Sequence, residues 1–118
     1  MEGFVLLVLD VGPDKLRAMN ALRLAESLVD QGAKLKLFLL DGGVLAAKSN
    51  QNPPDGLEGL NLGQKIEGLL QKRAEVIACG TCLLAKGIGE GELVVGVRPG
   101  TMADLARLTL ESTKALVF

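Results

Sequence analysis

Short apolar runs alternate along this chain with longer segments in which apolar residues recur at helical spacing. A continuous apolar run is typical of a strand buried on both faces of a sheet. Five such runs are predicted strands: 3–10, 34–40, 76–78, 93–97 and 115–118. The predicted helices are 14–31, 44–48, 62–73, 102–112 and the stretch that follows Cys79. This alternation predicts an α/β fold: a single domain over residues 1–118, in three layers, with a mainly parallel five-stranded sheet flanked by helices.

Capping residues predict where some of these elements begin. Asp14 is expected to cap the first helix, because an aspartate side chain can accept from the free amides there. Thr101, with Asp104 three residues later, is expected to form a capping box for the last helix. The polar, proline-rich segment 49–56 predicts a loop, which either lies over a site or is a surface excursion.

The motif with the most chemistry lies where the third strand passes into a helix. Cys79-Gly80-Thr81-Cys82 contains both cysteines of the chain, and Gly87 is expected to end the helix. The first amides of a helix have no partner within it, and together with the helix dipole they stabilise negative charge. They would therefore favour the thiolate of Cys79, which is the nucleophilic form of cysteine.

Parallel strands end at a common edge of the sheet, and sites in such folds lie beyond that edge. Asp10, Asp41 and Cys79 each stand at the end of a predicted strand, so we expect all three there. The two aspartates are candidate site carboxylates, although aspartate more commonly forms turns. Cys79 is either reactive or a small buried apolar residue, and Cys82 is either a resolving thiol or a half-buried helix residue.

Composition excludes several classes of function. A formal charge of -1 gives no basic surface for nucleic acid or an anionic membrane, and three phenylalanines are too few for base stacking. The absence of histidine excludes Ser-His-Asp and Cys-His catalysis within one chain. Two cysteines cannot close a four-ligand zinc site. We therefore predict no metal, no cofactor and no nucleic-acid partner.

The apolar run at the start of the chain is a predicted strand and not a signal peptide. It follows Glu2, without a basic segment before it or a small-residue cleavage site after it. No apolar run approaches the ~20 residues of a membrane-spanning helix, so we expect no membrane partner. The expected location is cytoplasmic, where a cysteine pair is more often reactive or simply buried than joined in a permanent disulfide.

A set of short motifs in the second half of the chain carries a family resemblance: Cys79–Cys82, Lys86–Ile88, Gly96–Val97, Gly100–Met102, Asp104–Ala106 and Leu116–Phe118. The first half agrees more loosely, through Ala21–Ala25, Phe38–Leu39 and Asp41–Gly42. Together these residues resemble the DsrE/DsrF-like family over essentially the whole chain. The run Cys-x-Thr-Cys followed by Gly-Ile is closest to the YchN type of that family.

The resemblance implies an α/β domain that forms a homo-oligomer, a trimer or a hexamer. It implies a sulfur carrier or sulfurtransferase subunit in which Cys79 takes sulfane sulfur from a donor protein as a persulfide and passes it to an acceptor protein. Cys82 is the second candidate catalytic cysteine, without an assigned role. The backbone amides of Gly80, Thr81 and Cys82 are candidates for stabilising the anion.

Two other functions stay open for the same residues. One is a dithiol/disulfide redox protein that uses both cysteines of the Cys-x-x-Cys motif. In thioredoxin-like proteins that motif follows an early strand, whereas here it comes late in the chain. The other is a non-catalytic oligomeric binding module in which the cysteines are structural residues.

Overall fold

The computed structural model of the chain describes residues 3–53, 55 and 61–118. Its strands are β1 (Val5–Leu9), β2 (Leu35–Leu39), β3 (Glu75–Cys79), β4 (Arg98–Gly100) and β5 (Lys114–Val117). Its α-helices are α1 (Leu16–Asp30), α2 (Leu62–Gln71), α3 (Gly80–Ala85) and α4 (Met102–Glu111). Within the described residues, 3₁₀ segments cover Asp41–Ala47 and Glu90–Glu92. Positions 54 and 56 of the predicted 49–56 loop lie outside the described residues.

The strands form one parallel sheet in the order β4-β3-β2-β1-β5. Every residue of β1 is buried, including the adjacent Leu6 and Leu7, whose side chains are fully inaccessible. Successive side chains of a strand point to opposite faces, so both faces of the sheet are covered at its centre. The predicted α/β fold with a five-stranded parallel sheet flanked by helices is confirmed.

Helix α1 presents a stripe of small and apolar side chains to its neighbours. Ala18, Ala21, Leu22 and Ala25 are all fully buried, and the stripe repeats at helical spacing. Helix α2 packs beside α1. No helix among residues 3–53, 55 and 61–118 is long and apolar enough to cross a membrane.

The prediction of a fourth strand over 93–97 is wrong. Leu93 and Val94 are buried, but the Val94 amide donates to the carbonyl of Ala47 over 2.8 Å instead of joining the sheet. These two residues therefore obtain their burial beside the first 3₁₀ segment, while Val95 is 94% exposed. Strand β4 forms over the residues that follow, Arg98–Gly100, although Pro99 and Gly100 are typical of a turn.

Strand β4 can contain Pro99 because it lies at the edge of the sheet. Proline has no amide hydrogen to donate, and an edge strand needs donors on only one side. The Arg98 guanidinium donates to the carboxylate of Glu75 on β3, which ties the two strands together. This hydrogen bond holds the pKa of Glu75 below its ordinary value.

The two predicted helix caps have different outcomes. Asp14 does not cap α1: Lys15 occupies the capping position without a side-chain bond, and Asp14 forms an exposed ion pair with it. The capping box of α4 is confirmed, because the Asp104 amide donates to Thr101 Oγ1 over 3.1 Å and the Thr101 amide donates to Asp104 Oδ2 over 2.8 Å. These bonds with Thr101 lower the pKa of Asp104.

Gly43 allows the first 3₁₀ segment to lie against the end of β1. A Cβ atom built on Gly43 would lie 2.0 Å from the carbonyl oxygen of Leu9, which is backbone and cannot turn aside. The Gly43 amide also donates to the carbonyl of Leu40. Only glycine fits this approach, and the approach sets the position of Asp41 at the start of the segment.

We expect Gly43→Ala to lower the free energy of unfolding by about 2 kcal/mol or more, because the added methyl forces the segment away from β1. Urea unfolding followed by circular dichroism measures the change. The matched control is Gly68→Ala in α2, where a Cβ meets nothing within 4 Å. That variant should gain about 0.5–1 kcal/mol from helix propensity. Equal stability of the two variants would contradict the packing role of Gly43.

Candidate functional site

Cys79 is the last residue of β3 and precedes the first residue of α3. It is buried, with 5% of its surface exposed. The amide of Cys82 donates to Cys79 Sγ over 3.4 Å. The sulfur therefore lies where strand passes into helix, as the sequence predicts, and a backbone donor from the first turn faces it.

Among the described residues, Cys82 provides the backbone amide that donates to Cys79 Sγ. Helix α3 has six residues, so its dipole is short and the hydrogen bond is the more local source of stabilisation. The roles of the Gly80 and Thr81 amides as anion stabilisers stay a prediction. Both residues lie in the first turn of α3, beside the sulfur.

Cys82 lies one turn further along α3 and is half-buried. The amide of Asp41 donates to Cys82 Sγ over 3.1 Å. Asp41 opens the first 3₁₀ segment and has a φ of 50°, a left-handed conformation that aspartate tolerates better than most residues. The backbone amide of Asp41, after β2, thus donates to the sulfur of Cys82, after β3.

Asp41 and Cys79 do lie together at the carboxyl edge of the sheet, but Asp41 takes part through its amide. Asp10 lies at the same edge, where its own amide donates to the carbonyl of Phe118 over 2.9 Å. Nothing in the sequence singles out the Asp41 amide, because every non-proline residue has one. The available signal was the position of Asp41 at the end of β2, the strand next to β3.

Several neighbours raise the pKa of the Cys82 thiol above its ordinary value. Burial has the largest effect, followed by a hydrogen bond with Cys79. The Asp41 amide acts in the opposite direction, while the charges of Cys79 and of the Asp41 carboxylate raise the pKa further. Cys82 therefore keeps its proton at neutral pH and can offer it to the neighbouring sulfur.

The two cysteines are free thiols, with no disulfide between them. Within the part of the chain that the structure describes, no group of three or more cysteine, aspartate or glutamate side chains could hold a metal ion. The site thus consists of two sulfurs one helix turn apart, one buried and one half-buried, each facing a backbone amide. Such a pair can exchange sulfur–sulfur bonds by thiolate attack.

Comparison with known proteins identifies a family and close relatives. The sequence profile of the DsrE/DsrF-like family matches residues 4–118. The YchN protein of Escherichia coli K12 is 39% identical over 101 residues, which cover 84% of each chain. An uncharacterized protein of Methanopyrus kandleri is 37% identical over 102 residues, covering 86% of this chain and 82% of the relative.

Solved structures agree with this comparison. The crystal structure of the Escherichia coli YchN protein superimposes with a TM-score of 0.88 at 33% identity and covers 100% of both chains. A protein of unknown function from Methanobacterium thermoautotrophicum has a TM-score of 0.79 at 13% identity, covering 98% of this chain and 99% of its own. The second similarity concerns the fold alone.

We expect Asp41→Asn to lower the pKa of Cys82, because the substitution removes a negative charge that raises it. Asparagine keeps the backbone amide and tolerates the left-handed conformation. Alkylation of Cys82 at neutral pH should accelerate about twofold to fivefold, the effect of a Coulomb interaction of up to about 1 kcal/mol near solvent.

The rate is measured with iodoacetamide over a pH series in the Cys79→Ser background, so that only one thiol reacts. The matched control is Asp14→Asn, which removes an exposed aspartate paired with Lys15. If Asp41→Asn leaves the pH dependence of the alkylation rate unchanged, or shifts it to higher pH, the electrostatic role of the Asp41 carboxylate is contradicted.

Proposed function

Because this chain belongs to the DsrE/DsrF-like family, we propose that it is a sulfur-relay protein that carries sulfane sulfur on a cysteine and passes it to a partner protein. The observation that carries the proposal is the amide of Cys82 facing Cys79 Sγ at the end of β3. In this proposal the protein is a cytoplasmic sulfur carrier or sulfurtransferase subunit, a single domain over residues 1–118.

The loading step needs only the Cys79 thiolate and a donor persulfide. Cys79 Sγ attacks the outer sulfur of R–S–SH, a bond forms between these two sulfurs, and the donor S–S bond breaks. The donor leaves as R–S⁻, and the proton stays on the transferred sulfur, so no oxidant or reductant is consumed. The step uses no histidine base and no metal, which agrees with a chain that has no histidine.

Backbone donors support the negative charge that this chemistry creates. The Cys82 amide faces Cys79 Sγ before loading, and in this proposal the amides of Gly80 and Thr81, in the same first turn of α3, add to it. Fixed donors of this kind stabilise an anion without reorganising during the reaction. Burial of Cys79 to 5% exposure supports the proposal in a second way, because it limits contact between a loaded persulfide and solvent thiols.

We also propose that the protein acts as a homo-oligomer, a trimer or a hexamer, with sulfur donor and acceptor proteins as partners. Helix α4 supports this, because Met102, Ala106 and Leu110 form an exposed apolar stripe at successive turns. Met102 is 61% exposed and Leu110 is 87% exposed. Large exposed apolar side chains on one helix face are typical of a surface that another chain covers.

Two alternatives use the same site. The hydrogen bond from the Cys82 amide to Cys79 Sγ brings the two cysteines together, which favours a dithiol redox protein, in which the thiols form a disulfide while a substrate disulfide is reduced. The burial of Cys79 favours a non-catalytic binding module, in which the residue is a small apolar group of the core.

We expect incubation with inorganic polysulfide to add one sulfur atom per chain in the wild type and in Cys82→Ser, but not in Cys79→Ser. The physical reason is that Cys79 is the sulfur with the amide donor in the first turn of α3. Intact-protein mass spectrometry measures the gain, and a reducing agent should remove it.

The same spectra separate the alternatives. Loss of two hydrogen atoms without a gain of sulfur indicates the dithiol redox protein, and no mass change in the wild type indicates the binding module. A gain of sulfur in Cys79→Ser equal to that of the wild type would contradict the assignment of Cys79. Circular dichroism of both variants confirms that each one folds.

We expect Leu110→Glu to reduce the assembly state, because a charge in the α4 stripe prevents another chain from covering it. Light scattering after size-exclusion chromatography should give a trimer or hexamer mass for the wild type and a smaller mass for the variant. The matched control is Gln71→Glu, which introduces the same side chain at an exposed position of α2. A wild type that elutes as a monomer would contradict the proposed oligomer.

A further inference from the structure

We infer that Cys82 is the second carrier of the relay: it takes the sulfane sulfur from Cys79 and presents it to the acceptor. This inference rests on the proposed function and assigns a role to the cysteine that the loading step leaves unused. The transfer is a single exchange between two side chains of one chain. It makes Cys79 the loading position and Cys82 the delivery position.

Each of the two sulfurs faces its own backbone donor. The Cys82 amide donates to Cys79 Sγ over 3.4 Å, and the Asp41 amide donates to Cys82 Sγ over 3.1 Å. The second donor comes from the 3₁₀ segment after β2, which is a different element from the helix that holds the cysteines. Negative charge can therefore rest on either sulfur with a fixed donor in place.

The difference in burial gives the transfer a direction toward the surface. Cys79 is 5% exposed, whereas Cys82 is half-buried on the same helix turn. An acceptor protein must bring its own thiolate against the outer sulfur, and access limits the rate of such an attack. Sulfur on Cys82 is the more accessible to a bulky thiol, while sulfur on Cys79 is within reach of Cys82 itself.

The step balances without another reactant: Cys79–S–S⁻ and Cys82–SH give Cys79–S⁻ and Cys82–S–SH. A bond forms between Cys82 Sγ and the sulfane sulfur, and the bond from that sulfur to Cys79 Sγ breaks. The electron pair of the broken bond stays on Cys79, whose Sγ faces the Cys82 amide. The proton of the Cys82 thiol moves to the terminal sulfur, and nothing is oxidised or reduced overall.

The environment of Cys82 explains why loading begins at Cys79. Burial raises the pKa of the Cys82 thiol, and the Cys79 hydrogen bond raises it further. A protonated thiol competes poorly for an external donor. Held beside a loaded Cys79, the same thiol gains the rate advantage of a neighbouring group, which offsets its low thiolate fraction.

The test uses the full chain and one equivalent of inorganic polysulfide. Samples are alkylated at successive times, and tandem mass spectrometry locates the sulfur. In the wild type, we expect the sulfur first on Cys79 and later on Cys82. In Cys82→Ser and Cys82→Ala, it should stay on Cys79.

Discharge is then measured with two acceptors, a small thiol and a polyethylene glycol chain that ends in a thiol. The Cys82 variants should lose about tenfold or more of the rate with the bulky thiol and clearly less of the rate with the small one, since access to the buried Cys79 limits the bulky thiol more strongly. Thermal unfolding of both variants shows that the fold is retained.

Each of the other outcomes contradicts one part of the inference or of the proposed function. Sulfur that stays on Cys79 in the wild type, with bulky-thiol discharge equal in wild type and Cys82 variants, overturns the inference and leaves the proposed function standing. Sulfur that appears first on Cys82 overturns the order of transfer. A Cys79–Cys82 disulfide with release of hydrogen sulfide replaces the relay by dithiol redox chemistry. No loading on either cysteine removes the proposed function itself.

Discussion

The hydrogen bond from the Asp41 amide to Cys82 Sγ joins the two halves of the site, which are far apart in the sequence. It can form because β2 and β3 are adjacent and parallel, so that both strands release the chain at the same edge of the sheet. The left-handed conformation of Asp41 costs on the order of 1 kcal/mol, and the packing of the 3₁₀ segment against β1 offsets that cost. The close approach at Gly43 is the steric condition for this arrangement.

The electrostatics of the sulfur pair follow from this contact. Two neighbouring thiols do not both ionise readily, because two like charges at short range repel each other. Burial and the Cys79 hydrogen bond both raise the pKa of Cys82, which therefore keeps its proton at neutral pH. The pair therefore combines a protonated sulfur that can donate and a neighbouring sulfur that an amide faces.

The sequence predicted the sheet and the position of Cys79 because these depend on local patterns. Continuous apolar runs indicated buried strands, and the carboxyl ends of parallel strands placed Asp41 and Cys79 together. The fourth strand was misplaced because only Leu93 and Val94 of the run 93–97 are buried, beside the 3₁₀ segment, while Val95 is exposed. A short apolar run does not by itself show which of its residues are buried or which neighbour buries them.

The relation between the two cysteines lay beyond prediction for a different reason. Their spacing placed them one helix turn apart, but relative exposure depends on which elements pack over the turn. The Asp41 amide belongs to the backbone, so no residue type indicates it. Burial protects a persulfide from solvent thiols, whereas exposure lets a partner protein attack it. A single position cannot be both protected and accessible. Under the proposed relay, two sulfurs at different depths on one helix turn would meet these two requirements separately.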